Sequence, residues 1–429
     1  MTPRKLAFDL LQKVEKNDQF LNIALDHALS DASLSALDRS LAAALVYGVY
    51  EKRITLDYQI SRLSNRNIET LDASVLTALR LGLYQLAFMD RIPPHAAINE
   101  TVGLCPRRST GFVNALLRAF TRGDGLLLPK KDDGVEQYLS VSHSVCLPLV
   151  CRLVDAYGEE RAEAILRALE GRTETTLSAN TLKISRDELI KKIDGATPTP
   201  YSETGLFIHG SVRDTYGFDD GLFFVQDEAS QICVSALDAR AGDKVMDVCA
   251  CPGSKSFGAA ISMEGQGEIL AFDLHEKKLP LITSGAKRLG INVISVAQRD
   301  ARDLIPEHEG TADRVICDVP CSGFGVLSKK PELRYKDPSV SASLPDVQLA
   351  ILETASRYLK IGGVLVYSTC TILPEENEIN IERFLATHDG FALDGFTVGD
   401  LCCKDGYVTL TPDVHGTDGF FIARVKRLK

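Results

Sequence analysis

The sequence lacks the features of a membrane or secreted protein. None of its apolar runs reaches the length of about 20 residues that a bilayer-spanning helix needs. The first ten residues carry Arg4, Lys5 and Asp9 and contain no apolar core of a signal peptide. We therefore predict a cytoplasmic protein that makes no membrane contact.

The eleven cysteines do not have the spacing of a disulfide framework or a zinc site. Their number is odd, and neither paired C-x-x-C motifs nor histidines at zinc-finger spacing accompany them. We predict no metal, and we expect most of these cysteines to be small buried hydrophobic residues.

Two common nucleotide-binding motifs are also missing. The stretch Gly253-Ser254-Lys255-Ser256 resembles the end of a phosphate-binding loop, but that motif needs glycines at 249 and 254, where Cys249 and Ser254 stand. The dinucleotide pattern G-x-G-x-x-G does not fit either. The turn at this point therefore has to bind a different ligand, or none.

The charge is divided unevenly along the chain. The whole chain has a net charge of −10, which argues against general binding of nucleic acid. Residues 1–134, however, carry 17 Lys+Arg and 15 Asp+Glu. If RNA is a partner, this N-terminal third and local basic loops have to contact it.

Hydrophobic periodicity divides the 429 residues into three predicted domains. Residues 1–130 show helical spacing throughout, and residues 136–215 mix short helices with a strand. Within the middle domain, one continuous helix is predicted over 151–168. Residues 216–429 alternate strand and helix, with one continuous helix predicted over 344–359 and an apolar hairpin near the C-terminus. Such alternation predicts a Rossmann-like, doubly wound α/β sheet that binds ligands at the carboxyl ends of its strands.

Acidic residues follow three successive predicted strands: Asp273, Asp300 and Asp318. An aspartate after the second strand can accept hydrogen bonds from both ribose hydroxyls, and Asp300 can accept one from an adenine amino group. Carboxylates would repel the phosphates of a nucleotide but attract a sulfonium. S-adenosylmethionine fits this set, although each aspartate alone could equally cap a helix.

Four segments carry specific motifs: Cys249–Lys255, Asp318–Leu327, Tyr367–Thr371 and Pro374–Glu378. They resemble segments of the RsmB (Sun, Fmu) family of 16S rRNA cytosine-5 methyltransferases. Gly111–Arg118 is similar to the family's helical N-terminal domain, which resembles the antitermination factor NusB. The resemblance implies a methyltransferase with a NusB-like RNA-binding domain at 1–130 and a catalytic domain at 216–429.

The resemblance also implies which residues bind S-adenosylmethionine. They are Asp273, Asp300, Asp318 and the loop Cys249, Ala250, Cys251, Pro252, Gly253, Ser254 and Lys255. Cys251, Ser254 and Ser256 replace the family's usual Ala, Gly and Thr. The change at Ser254 matters most if a glycine is required there for its backbone angles. Lys255 could add positive potential or could be an ordinary surface lysine.

Methylation of cytosine C5 explains why two cysteines are present. A thiolate that adds to C6 makes C5 nucleophilic, which is covalent catalysis. DNA cytosine-5 methyltransferases use the cysteine of a Pro-Cys pair, which would be Cys321. The RNA family uses the cysteine of its Thr-Cys segment, so the resemblance assigns Cys370 as the nucleophile, Cys321 as the residue that assists release, and Asp318 as a hydrogen-bonding partner of the ring.

The expected substrate is a single-stranded or loop cytosine of 16S rRNA that swings out of its stack into the site. Arg107 and Arg108 are candidates for phosphate contacts, and we expect a monomer. Three alternatives stay open: a DNA methyltransferase that uses Cys321, a tRNA methyltransferase, and a non-catalytic RNA-binding regulator. Retention of both cysteines disfavours the last.

Overall fold

The computed structural model describes residues 1–17, 21–31, 34–171 and 174–429. These residues form two compact units. The first contains residues 1–170 together with the later segment Lys330–Asp337, and the second contains residues 171–329 and 338–429. The predicted architecture, a helical N-terminal region, a small middle sheet and a larger α/β sheet, is confirmed.

The first unit is helical because leucines and valines recur at helical spacing and bury one side of each helix. Leu45, Leu56, Leu79 and Leu81 are fully buried in its core. Its helices are α1 (Pro3–Asn17), α2 (Leu21–Asp31), α3 (Ala36–Glu51), α4 (Arg53–Ser64), α5 (Ala73–Phe88), α6 (Pro94–Val102), α7 (Thr110–Arg122), α8 (Val135–His143), α9 (Leu147–Tyr157) and α10 (Glu159–Ala168).

The continuous helix predicted over 151–168 is wrong. Two helices, α9 and α10, meet at Gly158, whose φ of 77° lies in the left-handed region that favours glycine. Helical periodicity continues across the break, so the glycine is its one local signal.

The segment Lys330–Asp337 packs inside the first unit. The Arg334 guanidinium, which is 2% exposed, donates hydrogen bonds to the carbonyl oxygens of His143 (3.1 Å) and Leu169. The guanidinium of Arg53 lies 3.8 Å from the centre of the Tyr335 ring. This short segment is thus an integral part of the first unit, although it is distant in sequence.

The second unit begins with a small antiparallel sheet in the order β2-β3-β1-β4. Leu177, Leu206 and Phe223 form its buried face. The elements are β1 (Thr175–Ala179), α11 (Arg186–Ile190), β2 (Thr197–Pro198), β3 (Gly205–Ile208) and β4 (Phe223–Val225).

The larger sheet has the order β10-β14-β9-β8-β5-β6-β7, and β13 pairs with β14. The remaining elements of the second unit are α12 (Glu228–Leu237), β5 (Lys244–Asp247), α13 (Ser254–Ser262), β6 (Glu268–Asp273), α14 (Leu279–Leu289), β7 (Ile294–Gln298), β8 (Ala312–Asp318), α15 (Leu344–Arg357), β9 (Leu359–Thr369), α16 (Glu378–Thr387), β10 (Phe391–Leu393), β11 (Phe396–Val398), β12 (Leu401–Cys403), β13 (Tyr407–Leu410), α17 (Pro412–His415) and β14 (Phe420–Arg427). The helix predicted over 344–359 therefore ends slightly early. Strands β11 and β12 pair with each other in a separate two-stranded sheet.

Strands β5 to β9 run parallel, and β14 runs antiparallel to β9, so the predicted doubly wound sheet and C-terminal hairpin are confirmed. Both faces of the sheet are covered: α12, α13 and α14 contribute to the core on one face, and α15 and α16 to the core on the other. Burial on both faces explains why the strands are short continuous apolar runs. The carboxyl ends of the parallel strands meet at one edge.

No single helix in the described ranges has the length and apolar composition of a membrane span. The bent pair α8 and α9 passes that test only when the two helices are taken together, with a bend of 119° between them.

Candidate active site

The site lies where the strand order reverses. The chain passes from β5 to β6 and β7 on one side, and then to β8 and β9 on the other. A crevice at such a point is where open α/β sheets bind ligands. The residues that follow these strand ends are Val248–Gly253 after β5, Cys321 shortly after β8, and Cys370 directly after β9.

The two predicted catalytic cysteines are in contact. Cys321 Sγ lies 2.9 Å from Cys370 Sγ, and the backbone N–H of Cys370 donates to Cys321 Sγ at 3.1 Å. The side-chain hydrogen bond with Cys370 and burial raise the pKa of the Cys321 thiol well above its ordinary value, and the negative charge of Glu376 adds to this. The raised pKa favours the protonated thiol form of Cys321.

Asp318 lies beside the cysteines and is held by two side chains. Its Oδ2 accepts from Lys255 Nζ at 2.7 Å, and its Oδ1 accepts from Ser368 Oγ at 2.7 Å. The interpretation of Lys255 as a surface lysine is wrong, because its side chain is only 9% exposed. Burial opposes the charge of Lys255, yet the Asp318 carboxylate holds the lysine pKa above its usual value.

The loop from Cys249 to Lys255 crosses the end of β5 and starts α13. The N–H of Ala250 donates to the Phe272 carbonyl oxygen at 2.7 Å, and the N–H of Cys251 donates to Asp273 Oδ2 at 3.0 Å. At the end of the loop Gly253 has a φ of 110°, and a Cβ there would lie 2.6 Å from the Phe257 ring. These contacts bring the loop close to Asp273 and require a glycine at 253.

Position 254 does not require the backbone angles of a glycine. Ser254 is the first residue of α13 and is not among the described residues with positive φ. The replacement of Ser256 is also accommodated: its Oγ donates to Asp247 Oδ2 at 2.6 Å, below the loop. Burial raises the pKa of Asp247 to about 7.

Asp273 and Asp300 occupy the other end of the crevice. Asp273 Oδ1 accepts from the N–H of His275 at 2.9 Å, while both Asp300 oxygens accept from Arg302. The hydrogen bonds from Arg302 lower the pKa of Asp300 to about 2. Asp300 also lines a cleft of about 470 Å³ whose other walls include Leu304 and Ile305. This end of the crevice thus combines carboxylates with an apolar wall.

The remaining cysteines near the sheet follow the predicted pattern in part. Cys233 in α12 and Cys317 in β8 are buried, as expected. Cys249 lies in the loop after β5 and is partly exposed, unlike the buried cysteines. Its place beside the crevice agrees with its inclusion among the predicted cofactor-binding residues.

In the first unit, Arg107 and Arg108 form an exposed turn just before α7. Arg108 pairs with Asp72 at 2.9 Å, and both side chains are largely exposed. Both arginines are exposed and therefore accessible to a ligand, and an exposed ion pair such as Arg108–Asp72 contributes little to stability.

Three polar residues of the site were missed in the sequence: Gln348, Glu376 and Asn377. Each is at least 98% buried, and their side chains bond to the backbone beside the two cysteines. Glu376 and Asn377 lie in the Pro-Glu-Glu-Asn-Glu segment that resembles the family, but that resemblance does not indicate what either side chain does.

Comparison with known proteins gives a full-length match. The chain is 34% identical over 99% of its length to a Bacillus subtilis (strain 168) protein named "Probable ribosomal RNA small subunit methyltransferase B", of which it covers 98%. It is 32% identical to ribosomal RNA small subunit methyltransferase B of Erwinia tasmaniensis, with 98% of each chain covered. The chain belongs to the RsmB family.

Domain-level matches to this family agree with the fold. Residues 234–426 match the family model described as 16S rRNA methyltransferase RsmB/F, and residues 1–122 match the NusB family. The crystal structure of PH0851 superposes with a TM-score of 0.79 at 27% identity, covering 100% of this chain and 99% of that one. The chain is therefore an S-adenosylmethionine-dependent rRNA methyltransferase with an N-terminal NusB region.

Proposed function

We propose that this member of the RsmB family methylates C5 of a cytosine in 16S rRNA through a covalent adduct with Cys370. The observation that carries the proposal is the contact between Cys321 and Cys370 at 2.9 Å, beside Asp318 and at the ends of neighbouring strands. Two thiols and a carboxylate at one edge suit addition to a pyrimidine ring and its reversal.

The proposed reaction begins at Cys370. Its thiolate forms a bond to C6, and the electron pair of the C5–C6 double bond becomes available at C5. Asp318, held by Lys255 and Ser368, hydrogen bonds to N3 or to the amino group of the ring. After C5 has gained the methyl group, a base takes the C5 proton, the double bond re-forms and the C6–S bond breaks to return the thiolate. Cys321 assists this release.

S-adenosylmethionine, when bound, supplies the methyl group from its sulfonium. The residues at the crevice fit it: the loop Cys249–Lys255 offers backbone groups, and the Asp273 carboxylate, whose oxygens accept from the N–H groups of Cys251 and His275, has further lone pairs for ribose hydroxyls. The cleft beside Asp300 has apolar walls suited to an adenine ring. Excess negative charge in this region favours a cationic ligand over a phosphate.

The RNA would be held by a wider surface than the pocket. We propose that residues 1–130 form an RNA-binding domain in which Arg107 and Arg108 contact phosphates, that residues 136–215 form a small mixed α/β subdomain and residues 216–429 the catalytic domain, and that the enzyme acts as a cytoplasmic monomer. The target cytosine has to leave its stack to reach Cys370, which favours single-stranded or loop RNA.

A denaturing gel tests the assignment of the two cysteines. Wild type, Cys321→Ala and Cys370→Ala are each incubated with 16S rRNA and labelled S-adenosylmethionine. We expect a covalent protein–RNA band to accumulate with Cys321→Ala and none to form with Cys370→Ala. A band trapped by Cys370→Ala would reverse the assignment, and methylation of DNA or tRNA in preference to 16S rRNA would refute the proposed substrate.

A further inference from the structure

The residues behind the two cysteines are held by a buried polar network. Glu376 is 2% exposed, so little water can reach its carboxylate. Instead, its Oε2 accepts from the N–H of Ser322 at 2.9 Å and from Gln348 Nε2 at 2.8 Å. A buried carboxylate is costly unless its hydrogen bonds are made, so this arrangement is well defined.

Glu376 and Gln348 together bond to the residues on both sides of Cys321. Gln348 Nε2 also donates to the carbonyl oxygen of Pro320 at 3.0 Å. Pro320, before Cys321, is thus bonded to Gln348, and Ser322, after Cys321, is bonded to Glu376, while Gln348 and Glu376 are bonded to each other. The Gln348 amide is fixed in turn, since its Oε1 accepts from Asn380 Nδ2 at 3.2 Å.

Asn377, which follows Glu376 in sequence, bonds to the residues on both sides of Cys370. Its Oδ1 accepts from Thr369 Oγ1 at 2.6 Å, and its Nδ2 donates to the Thr371 carbonyl oxygen at 3.0 Å. Asn377 is fully buried. Two consecutive residues therefore hold two different loops: Glu376, together with Gln348, holds the loop of Cys321, and Asn377 holds the loop of Cys370 on both sides.

We propose that Glu376 and Asn377 are positioning residues with separate tasks, Glu376 for Cys321 and Asn377 for Cys370. The proposal rests on the proposed function, in which Cys370 attacks and Cys321 assists release. Loss of the Glu376 contacts should therefore slow release of the methylated product, whereas loss of the Asn377 contacts should slow formation of the adduct. Substitution of Glu376 is therefore expected to increase the amount of covalent adduct, and substitution of Asn377 to decrease it.

Single-turnover experiments with 16S rRNA and labelled S-adenosylmethionine separate the two steps. In Glu376→Ala we expect release to slow by about 10-fold or more, since a hydrogen-bonded charged group is lost, so that covalent adduct accumulates. In Asn377→Ala we expect adduct formation to slow by about 10-fold, with no accumulation. The matched control is Glu382→Ala, an exposed carboxylate of α16, which should behave as wild type.

A second variant, Glu376→Gln, distinguishes a role in positioning the Cys321 loop from a general effect on folding. In Glu376→Gln one amide oxygen can still accept from both Ser322 and Gln348, because both bonds end on a single oxygen in the wild type. We expect this variant to recover most of the release rate. A merely structural role would lower both steps together in Glu376→Ala, without accumulation of adduct, and that result would overturn the proposal.

The outcome for Cys321→Ala shows whether a failure concerns the proposed function or only the roles of Glu376 and Asn377. If Cys321→Ala traps no adduct, the proposed function fails, whatever Glu376→Ala does. If Cys321→Ala traps adduct and Glu376→Ala does not, the assignment of Glu376 alone is overturned. If Asn377→Ala accumulates adduct, the separate tasks of the two residues are refuted.

Discussion

The ion pair between Lys255 and Asp318 leads to a quantitative prediction for Lys255→Met. The lysine is 9% exposed, the aspartate 31%, and the charged atoms are 2.7 Å apart. Methionine keeps most of the volume of the side chain but leaves Asp318 without its cation. Removal of one partner from a fully buried pair costs about 3–5 kcal/mol. Solvent reaches one side of Asp318, so we discount this and expect a loss of about 2–3 kcal/mol.

Hydrogen exchange followed by mass spectrometry is a suitable measurement, because it reports on the second unit separately from the first. For the slowest amides of β5 and β8, a loss of about 2–3 kcal/mol corresponds to exchange that is roughly 30 to 150 times faster. Lys404→Met is the control, since Lys404 is exposed in the same unit; its exchange should match that of wild type.

The double variant Lys255→Met/Asp318→Asn identifies the cause of the loss. If the cost arises from an unpaired carboxylate, neutralising Asp318 should restore a substantial part of the protection, because neither charge is then left alone. Exchange in Lys255→Met within twofold of wild type would refute the reasoning. A double variant that is no better than the single variant would show that the carboxylate is not the source of the cost.

Four further outcomes are expected. Burial raises the pKa of Asp247 from 3.8 to about 7, so between these pH values the folded unit keeps a proton that the unfolded chain releases. The free energy of unfolding should therefore fall as the pH rises from about 4 to about 7, and this fall, measured by urea unfolding, should be smaller in Asp247→Asn. Gly253→Ala should raise the Kd for S-adenosylmethionine in calorimetry by about 10-fold, from a strained φ and contact with Phe257; an unchanged Kd would contradict this. Ser254→Gly should leave that Kd nearly unchanged, because Ser254 is helical; tighter binding would count against this reading. Arg334→Met should destabilise the first unit by about 2 kcal/mol, measured by exchange in α8, since two carbonyl groups lose their donor; unaltered exchange would argue against it.

The sheet and the ends of its strands could be predicted from the sequence because they depend on local signals. Apolar runs such as Val315–Cys317 end in an acidic residue or a turn, and their order along the chain implies the parallel sheet. The cofactor loop and both cysteines were found from motif resemblance. The contact between the two sulphurs follows from this topology, because β8 and β9 are neighbours.

Other features of the site depend on contacts between distant segments and could not be predicted. The sequence gives no sign that Lys255 is buried, because the aspartate that compensates its charge lies 63 residues away. Gln348 looks like any polar residue of a helix, yet it bonds to Pro320 and Glu376. The break at Gly158 was overlooked because apolar spacing continues through it.

The segment Lys330–Asp337 limits how the protein can be divided. Eight residues, encoded in the middle of the catalytic half, complete the packing of the N-terminal unit. A fragment that started at residue 174 would contain Arg334 without its acceptors at His143 and Leu169, and a fragment of residues 1–170 would lack the side chain that fills this space. The N-terminal unit is therefore not an interchangeable module at the end of the chain. Expression of either half alone, or its exchange for the corresponding half of a relative, would divide this packing.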